Sequence, residues 1–255
     1  MLRPGLDLTM DLSPEAWALI AAAVLLGAFV KGVFGIGFPL VAVPLMAVVG
    51  GVPLAVSLIA VPVVAANLVQ VHLARLRRVG ARFWVLILCL APGTWLGTKL
   101  LLLLEPRELV IIMGLSVIVF TGLQLSRYRL RIRPAAEPWI APVAGFASGV
   151  LGGLTAFFGA PLMVFLLSIE LERERFVGLV GLIYLFCGFF LIGSLFMRGL
   201  LDLETVLAGL ALCVPMALGM AGGAQIRRRI PPETFFRSVL VLLMLVGIGM
   251  VGRAL

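Results

Sequence analysis

Apolar residues in this chain form long blocks separated by short polar breaks. Runs of roughly twenty apolar residues, the length that crosses the hydrocarbon core of a bilayer, follow one another from Trp17 to Val251. The pattern predicts an all-α polytopic membrane protein. We expect an N-terminal tail at 1–15, a first membrane repeat at 16–125, a cytoplasmic linker at 126–138 and a second membrane repeat at 139–255.

The first apolar stretch, from Trp17 to Val49, is too long for one crossing helix and too short for two. Its centre reads GVFGIGFP and contains Gly32, Gly35, Gly37 and Pro39, residues that weaken or break a helix. We interpret the stretch as two segments that meet at a broken tip, either as two short crossings or as a re-entrant hairpin. In both cases the chain returns to the side from which it came.

The second half of the chain repeats this pattern, because Trp139 to Ser168 is again a long apolar stretch with a glycine-rich centre. Matching residues recur 117 or 126 positions later, and these pairs are Gly32 with Gly149, Gly35 with Gly152, Pro44 with Pro161, Gly93 with Gly219 and Gly97 with Gly223. Each half has five segments, an odd number, so the second half should be inverted in the membrane. Two inverted-topology repeats with glycine-broken or re-entrant first helices are a common transporter plan.

Charged residues are concentrated in the polar breaks, where arginines form clusters at 75–82, 127–133 and 227–229. Cytoplasmic loops carry an excess of basic residues, which predicts that these clusters face the cytoplasm and that both termini lie outside. The net charge of +8 at pH 7 therefore does not indicate a nucleic-acid partner. With 62% hydrophobic and 13% charged residues, the sequence predicts a multi-pass membrane protein that is surrounded by lipid.

The two glycine-rich stretches resemble the sulfite exporter TauE/SafE family of membrane permeases. The likeness covers nearly the whole chain and rests on GVFGIGFPLVAVPLM from Gly32, SGVLGGLTAFFGAPLM from Ser148 and VHLARLRRVG from Val71. The chain departs from the family, which often has three consecutive glycines, at Gly35-Ile36-Gly37 and at Leu154-Thr155-Ala156. The resemblance implies transport of a small sulfur-containing or organic anion, such as sulfite, a sulfonate or a carboxylate. It leaves coupling to a proton or a sodium ion open.

An anion inside a membrane needs hydrogen-bond donors and positive potential, and both are available where a helix restarts after glycines. The predicted binding residues are Lys31, Gly32, Gly35, Gly37, Asn67, Gln70, Ser148, Gly149, Gly152, Gly153 and Thr155. The spacing of 117 residues pairs Lys31 with Ser148, and we expect a small cavity between the two tips. Alternative interpretations are that the glycines only pack helices closely, that Lys31 snorkels to the cytoplasmic surface, and that Asn67 and Gln70 tie helices together.

Other functional classes find less support in the sequence. An intramembrane enzyme needs a nucleophile with its base or a metal cluster, yet the chain has one histidine, His72, and neither HExxH nor GxSxG. Cys89, Cys187 and Cys213 are far apart within apolar runs, so we predict neither a metal site nor a cofactor. A non-transporting membrane subunit that anchors or assists a partner complex is the alternative to a transporter.

Overall fold

The computed structural model describes residues 12–72, 83–126, 132–133, 136–168, 173–227 and 232–255. All regular structure in these residues is helical. The helices are α1 (Pro14–Phe34), α2 (Phe38–His72), α3 (Trp84–Leu103), α4 (Pro106–Leu125), α5 (Glu137–Thr155), α6 (Gly159–Ser168), α7 (Arg173–Met197), α8 (Leu203–Ile226) and α9 (Pro232–Ala254). Within the described residues, every helix except α5 and α6 is long and apolar enough to cross a membrane. The predicted all-α membrane fold is confirmed.

Polar residues in the breaks between apolar runs start the helices. The Ser13 hydroxyl accepts a hydrogen bond from the N–H of Ala16 at the start of α1, 3.2 Å away. At the start of α4, Glu108 accepts a hydrogen bond from the N–H of Glu105 at 2.8 Å and completes a capping box. Asp202 caps α8, and hydrogen bonds involving Thr205 lower the pKa of its carboxyl.

Both glycine-rich stretches fold as hairpins with a long first arm and a short second arm. In the first hairpin α1 ends at Gly35, which has φ 83°, and α2 begins three residues later. In the second hairpin α5 ends at Ala156, which has φ 53°, and α6 begins at Gly159. The arm at 38–50 ends where α2 bends at Gly51, and α6 has 10 residues. At about 20 and 15 Å, neither second arm is long enough to cross a bilayer.

Contacts between helix termini define two ends of the molecule. The guanidinium of Arg107, at the start of α4, donates hydrogen bonds to the carbonyls of Ala254 and Leu255, so α9 ends where α4 begins. We call this the acidic end, and its described acidic residues include Glu15, Glu105, Glu108, Asp202 and Glu204. We call the opposite end, where α4 and α8 finish and α9 begins, the basic end, and its described arginines include Arg133, Arg227 and Arg237. The assignment of the basic end to the cytoplasm stays a prediction.

Helix α5 packs against α3 at very short range. A Cβ atom added at Gly93 or Gly97 of α3 would lie 2.3 Å from the carbonyl oxygen of Phe146 or 2.2 Å from that of Val150, both on α5. Real Cβ atoms do not approach a carbonyl so closely, so only glycine permits this packing. Residue numbers rise together along both helices, so α5 runs parallel to α3, from the basic end towards the acidic end.

The same contact recurs between α1 and α8. A Cβ atom added at Gly219 or Gly223 of α8 would lie 2.3 Å from the carbonyl oxygen of Leu25 or 2.2 Å from that of Phe29, both on α1. These two helices are also parallel, but they run from the acidic end towards the basic end. The first arms of the two hairpins therefore enter from opposite ends of the molecule.

The contacts show which residues of α1 and α5 occupy corresponding positions in the two helix pairs. Leu25 takes the place of Phe146, and the helix cap Gly35 takes the place of Ala156, in both cases 121 residues earlier. The sequence suggested a spacing of 117 because it matched Pro44 with Pro161. Pro161 instead lies in the first turn of α6, where proline is tolerated, as Pro39 does in α2. In the register of the packing, Lys31 corresponds to Gly152 rather than to Ser148.

Candidate functional site

A buried lysine and a buried asparagine meet near the first tip. The Lys31 side chain lies one turn before the end of α1 and is 6% exposed. Its Nζ donates a hydrogen bond to Oδ1 of Asn67 on α2, at 2.5 Å. The amide Nδ2 of Asn67 in turn donates to the carbonyl of Val63 at 2.7 Å, which fixes the orientation of the amide. Lys31 therefore faces inwards and does not snorkel to the surface.

A charge on Lys31 would lack a counter-ion within the described residues, where the side chain makes no ion pair. Among the described residues, the other buried charged side chain is that of Glu137, which lies at the start of α5 at the basic end. A buried ammonium without compensation is costly. Because an ammonium has three donors and Asn67 accepts one bond, Lys31 retains donors for an anion.

The second tip carries two hydroxyl groups with different surroundings. The Thr155 hydroxyl donates a hydrogen bond to the carbonyl of Leu151 at 2.7 Å and accepts one from the N–H of Phe157 at 3.2 Å. It therefore stabilises the end of α5. The Ser148 hydroxyl is fully buried and has no hydrogen-bond partner among the described residues. The pairing of Lys31 with Ser148 that the 117 spacing suggested is not formed.

Three of the predicted binding glycines lie in helix contacts. A Cβ atom added at Gly32 would lie 2.4 Å from the carbonyl oxygen of Met220, and one at Gly149 would lie 2.5 Å from that of Leu90. Gly153 makes the corresponding approach to α3, also at 2.5 Å. For these three positions the structure favours the packing interpretation given above.

The remaining predicted glycines shape the tips themselves. Gly35 and Gly37 have φ values of 83° and 100°, a backbone region that favours glycine. Gly152 leaves room for the aromatic ring of Phe158, which would lie 2.1 Å from an added Cβ atom. Gln70 is in the last turns of α2, and its side chain lies outside the described part of the molecule.

The two tips approach each other around a cavity of about 10 Å³. This volume is at the lower limit for a single water molecule and far below that of an anion such as sulfite. The lining residues are Val30, Ile36, Gly37, Leu40, Phe120, Phe157, Met163, Tyr184, Val239, Leu240 and Leu243. Tyr184 is the polar side chain in this set. The cavity that these residues line between the tips is therefore too small for the anion expected from the sequence in this conformation.

Aromatic rings close this space from the side of the second tip. Phe157 packs edge to face against Phe120 of α4, with ring centroids 5.1 Å apart. Phe158 makes a similar contact with Tyr184 of α7 at 6.4 Å. Any solute that passes between the tips must displace these rings.

A polar cluster near the acidic end was not anticipated from the sequence. The hydroxyls of Thr98 on α3 and Ser194 on α7 form a buried hydrogen bond. The Nε of Arg198 donates to Oγ1 of Thr98 at 2.9 Å, and Nη2 donates to the carbonyl of Trp95 at 2.7 Å. The sequence signal that could have indicated this cluster is the presence of hydroxyl side chains within otherwise apolar spans. The cluster ties the end of α7 to α3.

A larger cavity, of about 920 Å³, also lies at the acidic end. Apolar side chains of α2, α4 and α9 form its walls, and its charged lining residues are Arg107 and Arg253. It lies between helix surfaces that lipid would cover. None of the predicted binding residues lines it.

Comparisons with known proteins identify one family. A family profile described as Sulfite exporter TauE/SafE matches residues 19–250. No curated protein and no solved structure matches the chain. The matched region includes both hairpins, the Lys31–Asn67 pair and every helix that packs against them.

Proposed function

Because this chain belongs to the sulfite exporter TauE/SafE family of membrane transporters, we propose that it is a permease that carries a small anion across a bacterial-type inner membrane. The substrate class is a sulfur-containing or organic anion, such as sulfite, a sulfonate or a carboxylate. The transport step is alternating access, in which the two halves of the chain expose one site to each side in turn.

The observation that carries this proposal is the Lys31–Asn67 pair. A buried lysine that has no counter-ion among the described residues can pair with an anion as an ammonium, and the Asn67 amide fixes the position of its Nζ. Charge-assisted hydrogen bonds are stronger than neutral ones. Helix α2 begins at Phe38, close to the same tip, so the positive end of its dipole adds to the attraction.

Alternating access requires two halves that can exchange roles, and the packing of α1 on α8 and of α5 on α3 supports such halves. We infer that the chain contains two inverted repeats, related by an axis in the membrane plane. Each repeat contributes one hairpin. The first arm of that hairpin packs against a parallel helix of the other half, α1 against α8 and α5 against α3. A movement of one hairpin with its partner helix would then open one end while the other stays closed.

The closed space between the tips gives this cycle an occluded step. Phe157 must leave Phe120 before a solute can pass, since the cavity between them holds at most about one water molecule. An aromatic barrier between the tips keeps water and other ions from leaking through. We therefore assign the barrier to the second tip and anion recognition to the first.

Flux into proteoliposomes tests the proposed function. Purified protein is reconstituted alone, and uptake of sulfite, a short alkyl sulfonate and acetate is measured against protein-free vesicles. The wild-type chain should transport at least one of them, and Lys31→Gln should reduce that flux at least about tenfold, as expected for loss of a charged hydrogen-bond donor. Lys99→Gln removes an exposed lysine and should transport as the wild type does.

Absence of flux for every anion, under inward and outward gradients, would favour the alternative in which the chain is a membrane subunit that assists a partner. Equal flux through wild type and Lys31→Gln would retain the permease but remove Lys31 from its site.

A further inference from the structure

Lys31 is a titratable group, and its surroundings offer no compensation for a positive charge among the described residues. The side chain is buried, it has a neutral amide as its hydrogen-bond partner, and it makes no ion pair within the described residues. A buried charge without compensation gives up its charge where it can, and a lysine does so by releasing a proton. An anion beside Nζ supplies the missing compensation.

We propose that the permease carries a proton together with each anion, and that Lys31 holds this proton. The inference rests on the proposed function, because it assigns a second cargo to the same site. With the site empty, the side chain is a neutral amine. A proton from the aqueous phase then binds the nitrogen lone pair as the anion arrives, and ammonium and anion form a neutral pair.

Release at the other side reverses these steps. The anion leaves, the N–H bond breaks, and the proton returns to water, which restores the neutral amine hydrogen-bonded to Asn67. Both the loaded and the empty site are then free of net charge. Because moving charge through a membrane interior is costly, both conformational steps avoid that cost. Transport of a monovalent anion is therefore electroneutral and driven by a pH gradient.

The helices that pack against α1 are α2, α8 and α9, and the charged groups that these helices carry towards the basic end are the candidates to compensate Lys31. Arg227 ends α8 and Arg237 lies on the exposed surface of α9, and neither compensates a cation. His72 on α2 and Glu233 on α9 have side chains outside the described part of the molecule. Glu233 is thus the rival carrier of the proton, and the experiment must separate it from Lys31.

Proton uptake on anion binding tests the inference in detergent, without any transport step. A transported anion is added to purified protein in weakly buffered solution that contains a pH indicator dye. Wild type and Lys99→Gln should take up close to one proton for each anion bound, since one ammonium compensates one negative charge. Glu233→Gln should take up as many. Lys31→Arg, which keeps a fixed charge, should bind the anion with no proton uptake.

Reconstituted protein supplies the second readout. An inward pH gradient, acid outside, should raise accumulation of the anion several-fold over its equilibrium level, whereas a membrane potential imposed with valinomycin should leave uptake unchanged. Lys31→Arg should lose the response to the pH gradient.

Anion flux that follows the voltage and ignores the pH gradient overturns the inference while the proposed permease stands. Loss of proton uptake in Glu233→Gln, with uptake retained in Lys31→Arg, overturns it in favour of Glu233. Absence of any anion flux overturns the proposed function and this inference with it.

A spectroscopic measurement observes the group itself. Lys31 and Lys99 are the lysines of the sequence, so Lys99→Arg leaves Lys31 as the one side chain that lysine-specific ¹⁵N labelling reports. At neutral pH its Nζ signal should move from the amine to the ammonium position when the anion is added. An ammonium signal in the absence of any anion would contradict the proposal.

Discussion

The first and second hairpin tips share a backbone plan and differ in the side chains they carry. In both, a first arm ends at a residue with positive φ, at Gly35 and at Ala156, and a short second arm begins three residues later. Beneath the first tip lies the hydrogen-bonded pair of Lys31 and Asn67. The second tip carries the adjacent aromatic residues Phe157 and Phe158 instead.

Comparison of the two tips distinguishes the features that build the fold from the side chains that we assign to anion recognition. Parallel packing with carbonyl–glycine contacts is present in both halves, so it belongs to the scaffold. The lysine belongs to the first half. In the second half, Gly152 occupies the position that corresponds to Lys31, and the ring of Phe158 covers it. In the proposed permease, the two halves thus share one anion-recognition group, at the first tip, and one aromatic barrier, at the second.

The largest expected effect is on anion affinity at the first tip. Asn67→Ala removes the acceptor that positions Nζ of Lys31, so the anion should bind about 10- to 100-fold more weakly, the range expected when a charged hydrogen bond is lost. Ser148→Ala at the second tip should change affinity by less than about twofold. Isothermal titration of the purified variants compares the two tips directly. Equal losses in both variants would mean that the site spans both tips.

Overpacking of the two close helix pairs should be the next largest effect. Gly97→Ala places a methyl group against the carbonyl of Val150, and Gly223→Ala places one against that of Phe29. Each should lower the free energy of unfolding by about 1–3 kcal/mol, because backbone must move. Gly193→Ala, with no atom within 4 Å of the added carbon, is the matched control and should be neutral or slightly stabilising. Unfolding in detergent mixed with dodecyl sulfate measures all three. A large loss in one close pair and none in the other would show that the two pairs are not equivalent.

The helix caps at the tips should respond to substitution in opposite directions. Gly35→Ala puts a side chain at φ 83° and should destabilise the protein by about 1 kcal/mol. Ala156→Gly relieves a left-handed alanine at φ 53° and should stabilise it, by less than about 1 kcal/mol after the entropy cost of glycine. The midpoints of the same unfolding experiment give both values. Changes of the same sign would mean that the two caps are held by different surroundings.

The smallest expected effect is that of Ser148→Ala on stability. The Ser148 hydroxyl is buried without a hydrogen-bond partner in the described structure, so its removal should stabilise the protein by up to about 1 kcal/mol. Thr155→Val is the contrasting change, because that hydroxyl is bonded to Leu151 and Phe157. It should destabilise by about 1 kcal/mol. A loss of stability in Ser148→Ala would indicate that the hydroxyl has a partner, such as a bound water.

Much of the fold could be predicted because apolar length and glycine position leave few alternatives. The broken tips follow from Gly35 and Gly37 in a run too long for one helix. The matches of Gly93 with Gly219 and of Gly97 with Gly223 point to the residues that make equivalent contacts in the structure. The register of the hairpins was misplaced, because Pro161 occupies a different position in its arm from Pro44.

The candidate site was predicted only in part. Lys31 and Asn67 stand out in the sequence because polar side chains are rare in apolar spans, but their contact joins helices whose crossing no local pattern encodes. The Thr98–Ser194–Arg198 cluster was missed for the same reason, since single hydroxyls in a span are common and gain meaning only from their neighbours. The closure of the space between the tips depends on the rotamers of Phe157 and Phe120, which sequence does not specify.

Direct location of a bound anion tests the central claim that the first tip recognises the substrate. Crystals of the protein soaked with selenite or selenate, as analogues of sulfur oxyanions, give an anomalous signal from selenium that identifies the site. We predict a selenium peak at the first tip, from an oxyanion with an oxygen within about 3 Å of the Nζ of Lys31, the distance of a charge-assisted hydrogen bond. Lys31→Gln should show no such peak. A peak at the second tip or beside Arg198, with none at Lys31, would contradict the account.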